Sequence, residues 1–130
     1  MTRKQEVRDA LVDSGVTAVL RGVPEEQMVD VARAVHEGGV RALELTADAT
    51  RCSEQVAAVD RALEDTDAVV GVGAAMDAAA ARNAIEAGAE FVLGPHLDEV
   101  VVEVCNREGV LCIPGVMTPT EAADAMAAGA

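Results

Sequence analysis

Short apolar runs rich in β-branched residues alternate with helical stretches along the whole chain of 130 residues. The runs begin near Thr17, Ala42, Ala68, Glu90 and Leu111, so one unit follows the next about every 21 to 26 residues. Strands that alternate with helices at this interval predict βαβ units and a parallel sheet. The chain is therefore expected to be an α/β protein.

Helices are predicted before the first run and after each of them. The opening helix covers about residues 2–14, and the others cover about residues 25–37, 53–63, 78–87, 99–107 and 120 to the end. Asp77, Asp98 and Thr118 stand where N-cap residues are expected. The pattern suits both a closed barrel and an open doubly wound sheet, and an eight-unit barrel typically has ~250 residues. We expect residues 1–130 to form one domain of five units that stops before a sixth strand.

The charge of the chain is strongly negative. It has 23 acidic residues against 10 basic ones, and Lys4 is its only lysine. A net charge of -13 argues against a nucleic-acid partner, because phosphate contacts require clustered Lys and Arg. We interpret the charge as a salt-adapted surface like that of halophiles, with a specific cationic partner as the alternative.

No apolar run approaches the ~18 residues of a membrane span and the start is polar, so we expect a cytoplasmic protein without a membrane partner.

The chain has three cysteines, Cys52, Cys105 and Cys112, and they lack the paired spacing of metal sites such as C-x-x-C. No cluster of His, Asp and Glu has metal-site spacing either. We therefore expect free, buried thiols and no metal or other cofactor.

A carboxylate, Glu44, lies in the middle of the apolar run ALELT at residues 42–46. Burial of a carboxylate costs several kcal/mol unless it has partners or a chemical task. In a barrel strand, alternate residues point inward and catalytic groups lie toward the C-terminal end. If Leu43 and Leu45 pack on helices, Glu44 and Thr46 face the barrel interior.

The same alternation places Arg21 on the inward side, at the end of the first strand. Arg21 and Glu44 on neighbouring strands could bind a substrate carboxylate and move a proton, and the alternative is a structural ion pair between them.

The GVGA stretch around Gly73 lacks the third glycine of a nucleotide-binding loop, and its glycines would let a ligand or backbone approach closely. His96, at the end of the fourth strand, is interpreted as a loop residue rather than a catalytic one.

A resemblance to the 2-keto-3-deoxy-6-phosphogluconate (KDPG) / 4-hydroxy-2-oxoglutarate (KHG) aldolase family is carried by the segments VLRG, EGGVRALELT, VVGVGA, AIEAGAEFVLGPHLDEVVVEVCNREGV and IPGVMTPTEA. It runs from about Leu11 to the end and corresponds to the N-terminal five-eighths of the family. The resemblance implies a TIM-type (β/α) barrel, here truncated to five units after an N-terminal helix, in a protein that is usually trimeric. It also implies a class I aldolase of the Entner–Doudoroff pathway, which needs no metal and cleaves KDPG into pyruvate and glyceraldehyde 3-phosphate through a lysine Schiff base.

The resemblance also implies roles for individual residues. Glu44 falls on the family's proton-shuttling glutamate, Arg21 on an arginine that binds the pyruvate carboxylate, and Pro95 on a proline of the pyruvate pocket. Thr46 and Gly73 complete the predicted substrate-binding residues.

Several positions depart from the family pattern. Ala74 replaces a threonine that helps to hold the carboxylate, Gly94 replaces a serine, and Asp48 stands where some members have an arginine. The Schiff-base lysine of the family lies on the sixth strand, and Lys4 on the first helix is no substitute. We therefore expect the 130-residue chain alone to be inactive.

Three hypotheses follow. The chain is a truncated aldolase, or a non-catalytic half-barrel for binding or assembly, or an open-sheet nucleotide-binding domain. The single glycine of RGVPEE, after the first strand, disfavours the third hypothesis. A continuation of the coding sequence that supplies the lysine strand would favour the first.

Overall fold

Five strands form one parallel sheet in the computed structural model, which describes residues 1–130. The strands are β1 (Thr17–Leu20), β2 (Ala42–Thr46), β3 (Val69–Gly73), β4 (Phe91–Leu93) and β5 (Leu111–Ile113). Each strand pairs with the strand that precedes it in the chain, in the order β1-β2-β3-β4-β5. This order belongs to a (β/α) barrel of TIM type, because a doubly wound sheet reverses its strand order. The barrel expectation is therefore confirmed.

Six α-helices flank the strands. They are α1 (Arg3–Ser14), α2 (Met28–Glu37), α3 (Cys52–Leu63), α4 (Ala78–Glu86), α5 (Glu99–Arg107) and α6 (Pro119–Ala128). The predicted helix at 25–37 is wrong at its start, where Glu25–Gln27 form a 3-10 turn before α2. The predicted N-caps are confirmed: the side chains of Asp77, Asp98 and Thr118 accept hydrogen bonds from backbone N–H groups at the starts of α4, α5 and α6.

Two separate cores lie on the two faces of the sheet. Leu43 and Leu45 belong to the larger core, which the sheet shares with the helices that follow the strands. The smaller core joins Val7 and Ala10 of α1 to the first residues of β2, β3 and β4, among them Phe91. Helix α1 thus covers the inward face at the N-terminal ends of the strands. It does not cover the inward face at their C-terminal ends.

Two of the three cysteines match their expectation. Cys105 and Cys112 are buried and free, whereas Cys52 is only half-buried. No group of three or more His, Cys, Asp or Glu side chains lies close enough to hold a metal ion. None of the helices is both long enough and apolar enough to cross a membrane.

Candidate active site

Glu44 lies on the inward face of the sheet, in the middle of β2. The strand register places it beside Val19 of β1 and Gly71 of β3. Its side chain extends toward the C-terminal end of the sheet, where the carboxylate rests against the backbone of Gly73. A Cβ atom at Gly73 would overlap Glu44 Oε1 and would lie 3.0 Å from Leu93 Cβ. The glycine at the end of β3 therefore provides the space that the carboxylate occupies.

The surroundings of Glu44 favour its protonated form. Glu44 is half-buried, and burial raises the pKa of its carboxyl group above the ordinary value. The positive charge of Arg21 lowers this pKa, but by less than burial raises it. A raised pKa makes a carboxyl group better suited to hold and then release a proton during catalysis.

Arg21 forms its ion pair with Asp48. Arg21 Nη1 donates to Asp48 Oδ2 over 3.0 Å, and both side chains are largely exposed. The alternative predicted from sequence, an ion pair between Arg21 and Glu44, is therefore wrong. The Thr46 hydroxyl and the Arg21 guanidinium together lower the pKa of Asp48, which keeps this carboxylate charged.

A polar cleft of about 480 Å³ lies between the loops that follow β1 and β2, and Glu44 is not among the residues that line it. Arg21 is the only basic residue in its wall, which also includes Thr46 and Asp48. A second ion pair, Arg51 Nη1 to Glu25 Oε1 at 2.7 Å, joins the same two loops. The two loops are thus connected by one ion pair at the cleft wall and another beside it.

Sequence reasoning missed Gln55, a buried polar residue of α3 that also lines the cleft. Its Nε2 donates to the Thr50 carbonyl oxygen over 2.7 Å, and its Oε1 has no hydrogen-bond partner. Helical spacing could have predicted that Gln55 is buried, because it stands four residues before Val59 and eight before Leu63, and both of these residues are buried.

Pro95 and His96 follow β4 at the same edge of the sheet. Both are exposed, and the Pro95 carbonyl lies so close to Gly115 that no Cβ fits there. His96 lies in the loop that follows β4, and the interpretation that it is not catalytic stays a prediction. The loops after β4 and β5 are thus packed together at this edge.

Lys4 lies at the opposite end of the sheet. Its Nζ donates to Asn106 Oδ1 over 2.7 Å and to the Gly129 carbonyl oxygen over 3.1 Å. Asn106 and Gly129 lie near the C-terminal ends of α5 and α6, which in a βα unit lie beside the N-terminal ends of the strands. The amine is therefore remote from Glu44.

Comparison with known proteins finds aldolases among the relatives of this chain. The aldolase family described as KDPG and KHG aldolase matches residues 7–130. A 2-dehydro-3-deoxy-phosphogluconate aldolase of Treponema pallidum (strain Nichols) is 36% identical over 96 residues, which are 74% of this chain and 45% of that protein. A KHG/KDPG aldolase of Escherichia coli (strain K12) is 30% identical over 118 residues, which are 91% of this chain and 54% of that protein.

Solved aldolase structures have the same fold as this chain. The crystal structure of the 2-keto-3-deoxy-6-phosphogluconate aldolase of Zymomonas mobilis ZM4 with 3-phosphoglycerate superposes with a TM-score of 0.84. Its sequence identity is 24%, and the match covers 97% of this chain and 59% of that one. The chain spans about half the length of the curated relatives that it matches.

Proposed function

This chain belongs to the KDPG and KHG aldolase family, and we propose that it provides the proton-transfer side of a class I aldolase active site. The proposed substrate is a phosphorylated 2-keto-3-deoxy sugar acid such as KDPG, which is cleaved to pyruvate and glyceraldehyde 3-phosphate. The observation that carries the proposal is the Glu44 carboxylate, which lies half-buried on the inward face of the sheet in the space left by Gly73.

Glu44 is proposed to move protons to and from the reacting centre. In a class I aldolase an amine adds to the keto carbon, and the carbinolamine loses water to become an iminium ion. The iminium ion accepts the electrons of the carbon–carbon bond as the C4 hydroxyl loses its proton. Burial raises the pKa of Glu44, so this residue can protonate the leaving water and accept the hydroxyl proton.

Arg21 is proposed to bind the carboxylate of the keto acid. A guanidinium suits this task because it pairs with carboxylates in a planar, two-point geometry. Thr46 and Gly73 at the ends of β2 and β3, with Pro95 after β4, are proposed to line the rest of the keto-acid pocket. All of these residues lie toward one edge of the sheet, the C-terminal edge, where substrates of barrel enzymes bind.

The Schiff-base amine is proposed to come from another polypeptide segment. Lys4 is the only lysine of this chain, and its bonds to Asn106 and Gly129 hold it at the far end of the sheet. A nucleophilic amine must lie within bonding distance of the keto carbon. The relatives extend well beyond the part that this chain matches, and their remaining part is a source for such an amine.

Trapping with borohydride tests this proposal. The 130-residue chain is incubated with pyruvate, with and without a polypeptide that corresponds to the remaining part of the E. coli relative, and is then reduced and analysed by mass spectrometry. We expect no adduct on the chain alone and an adduct on a lysine of the added polypeptide in the mixture. An adduct on Lys4 that disappears in Glu44→Gln would contradict the proposal, and so would a mixture that associates without trapping pyruvate.

A further inference from the structure

The guanidinium of Arg21 interacts with two carboxylates in this structure. It donates to Asp48 over 3.0 Å, and its positive charge also acts on Glu44, whose pKa it lowers. No other basic residue lines the cleft, and the nearby Arg51 is bonded to Glu25. A ligand carboxylate at Arg21 would therefore be the third carboxylate near one guanidinium.

Asp48 and a ligand carboxylate need the same atoms of Arg21. The Arg21 Nη1 that now donates to Asp48 is one of the donors that a two-point pairing with a ligand would use. Asp48 is largely exposed, with a side-chain relative accessibility of 69%, so it can move into water and release the guanidinium. After its release, it would still repel the bound carboxylate at short range.

We propose that Asp48 competes with the carboxylate of the keto acid for Arg21 and so limits the affinity of the site for pyruvate and other small carboxylates. The inference rests on the proposed function, which places that carboxylate at Arg21. The effect of this competition on ligand affinity is modest, because an exposed ion pair contributes little free energy and is screened by salt. It is also constant over most of the pH range, since the lowered pKa of Asp48 keeps the residue charged.

The test is an NMR titration of the full 130-residue chain with sodium pyruvate, compared with Asp48→Asn. The substitution keeps the shape of the side chain and removes its charge. We expect the affinity for pyruvate to rise about two- to fivefold at low salt. The gain should shrink toward zero in 1 M KCl, where the screening length is only about 3 Å. Pyruvamide, which has no charge, should show no gain.

The matched control is Asp67→Asn. Asp67 pairs with Arg41 over 2.8 Å, has a side-chain accessibility of 62% and lies just before β3, at the N-terminal edge of the sheet. This variant changes the net charge of the chain by the same amount, and we expect no gain in pyruvate affinity. The double variant Arg21→Gln/Asp48→Asn should lose the gain, because the guanidinium is then absent.

Three other outcomes would contradict the inference, and each has a different meaning. Equal pyruvate affinities of the wild type and Asp48→Asn would show that Asp48 does not compete, while the role of Arg21 would stand. An equal gain in Asp67→Asn would show a general effect of charge. Absence of pyruvate binding in both proteins would refute the placement of the carboxylate at Arg21, and the inference with it. Asp48→Ser provides a second variant if Asp48→Asn alters the melting temperature.

Discussion

The carboxylate of Glu44 occupies the space in which a side chain at residue 73 would lie. A Cβ built on Gly73 overlaps Glu44 Oε1 and comes within 3.1 Å of Glu44 Cδ. The proton-transfer group of the proposed site therefore depends on a residue of the neighbouring strand that has no side chain. This relationship leads to a direct test by substitution.

Gly73→Ala should destabilise the protein by about 1–3 kcal/mol, because the new methyl group is forced into an occupied space. Urea denaturation measures the change. In the background of Glu44→Ala the cost should be smaller, since the overlapping carboxylate is removed and only Leu93 Cβ, at 3.0 Å, remains close to the new methyl group. Equal costs in both backgrounds would show that Glu44 does not fill this space.

Gly38→Ala provides the control for that experiment. Gly38 has an ordinary negative φ, and a Cβ there would meet nothing closer than 3.3 Å. Its substitution should change the free energy of unfolding much less than Gly73→Ala does. A similar loss at both glycines would indicate a general cost of replacing glycine in this fold.

Glu44→Gln should stabilise the protein at neutral pH and have little effect in acid. The pKa of Glu44 is raised in the folded state, so the folded protein binds the proton more tightly than the unfolded chain does. The contribution of this group to stability is complete below its unfolded pKa of about 4.3 and is lost as the pH rises through the folded pKa. Denaturation in urea between pH 3.5 and 8 should show a difference between variant and wild type that grows with pH.

Glu121→Gln should show the opposite dependence on pH. Glu121 accepts hydrogen bonds from Thr118 Oγ over 2.8 Å and from the Met117 N–H over 2.9 Å, and these bonds lower its pKa. Its contribution is present above the unfolded pKa and is lost as the pH falls through the folded pKa. The variant should be less stable than the wild type at pH 7 and approach it in acid. Parallel curves for the two variants would contradict both assignments.

Melting temperature should rise when KCl is added. The net charge of -13 is spread over a small chain, and its self-repulsion is weakened as the screening length falls from about 30 Å at 0.01 M to about 3 Å at 1 M salt. Calorimetry between these two concentrations measures the effect. A melting temperature that stays constant would remove the interpretation of the surface as adapted to salt.

The 130-residue chain is expected to associate in solution. Strands β1 and β5 each pair on one side only, so both leave backbone N–H and C=O groups open to another strand. Val19 of β1 is 53% exposed on the inward face and adds apolar surface at that edge. Sedimentation should detect oligomers whose fraction rises with concentration. A cooperative monomer at all concentrations would contradict this expectation.

The sequence predicted the strands, three N-caps and the inward direction of Glu44, because each depends on local spacing. Alternation along ALELT is sufficient to place Leu43 and Glu44 on opposite faces, and the structure agrees. The partner of Arg21 could not be predicted in this way. A long, exposed side chain can reach several carboxylates, and the choice of Asp48 over Glu44 depends on the path of the loop after β2.

The contribution of Glu44 to turnover tests the central claim most directly. In a complex of the chain with the polypeptide that supplies the lysine, we predict that Glu44→Gln lowers kcat for the cleavage of KDPG by about 10²–10⁴-fold with little change in KM. Glu90→Gln is the control, because Glu90 is paired with Arg3 at the N-terminal end of the sheet. The kcat of the complex with this variant should stay near the wild-type value. A Glu44→Gln complex that turns over within about tenfold of the wild type would contradict the assignment of Glu44 as the proton-transfer residue.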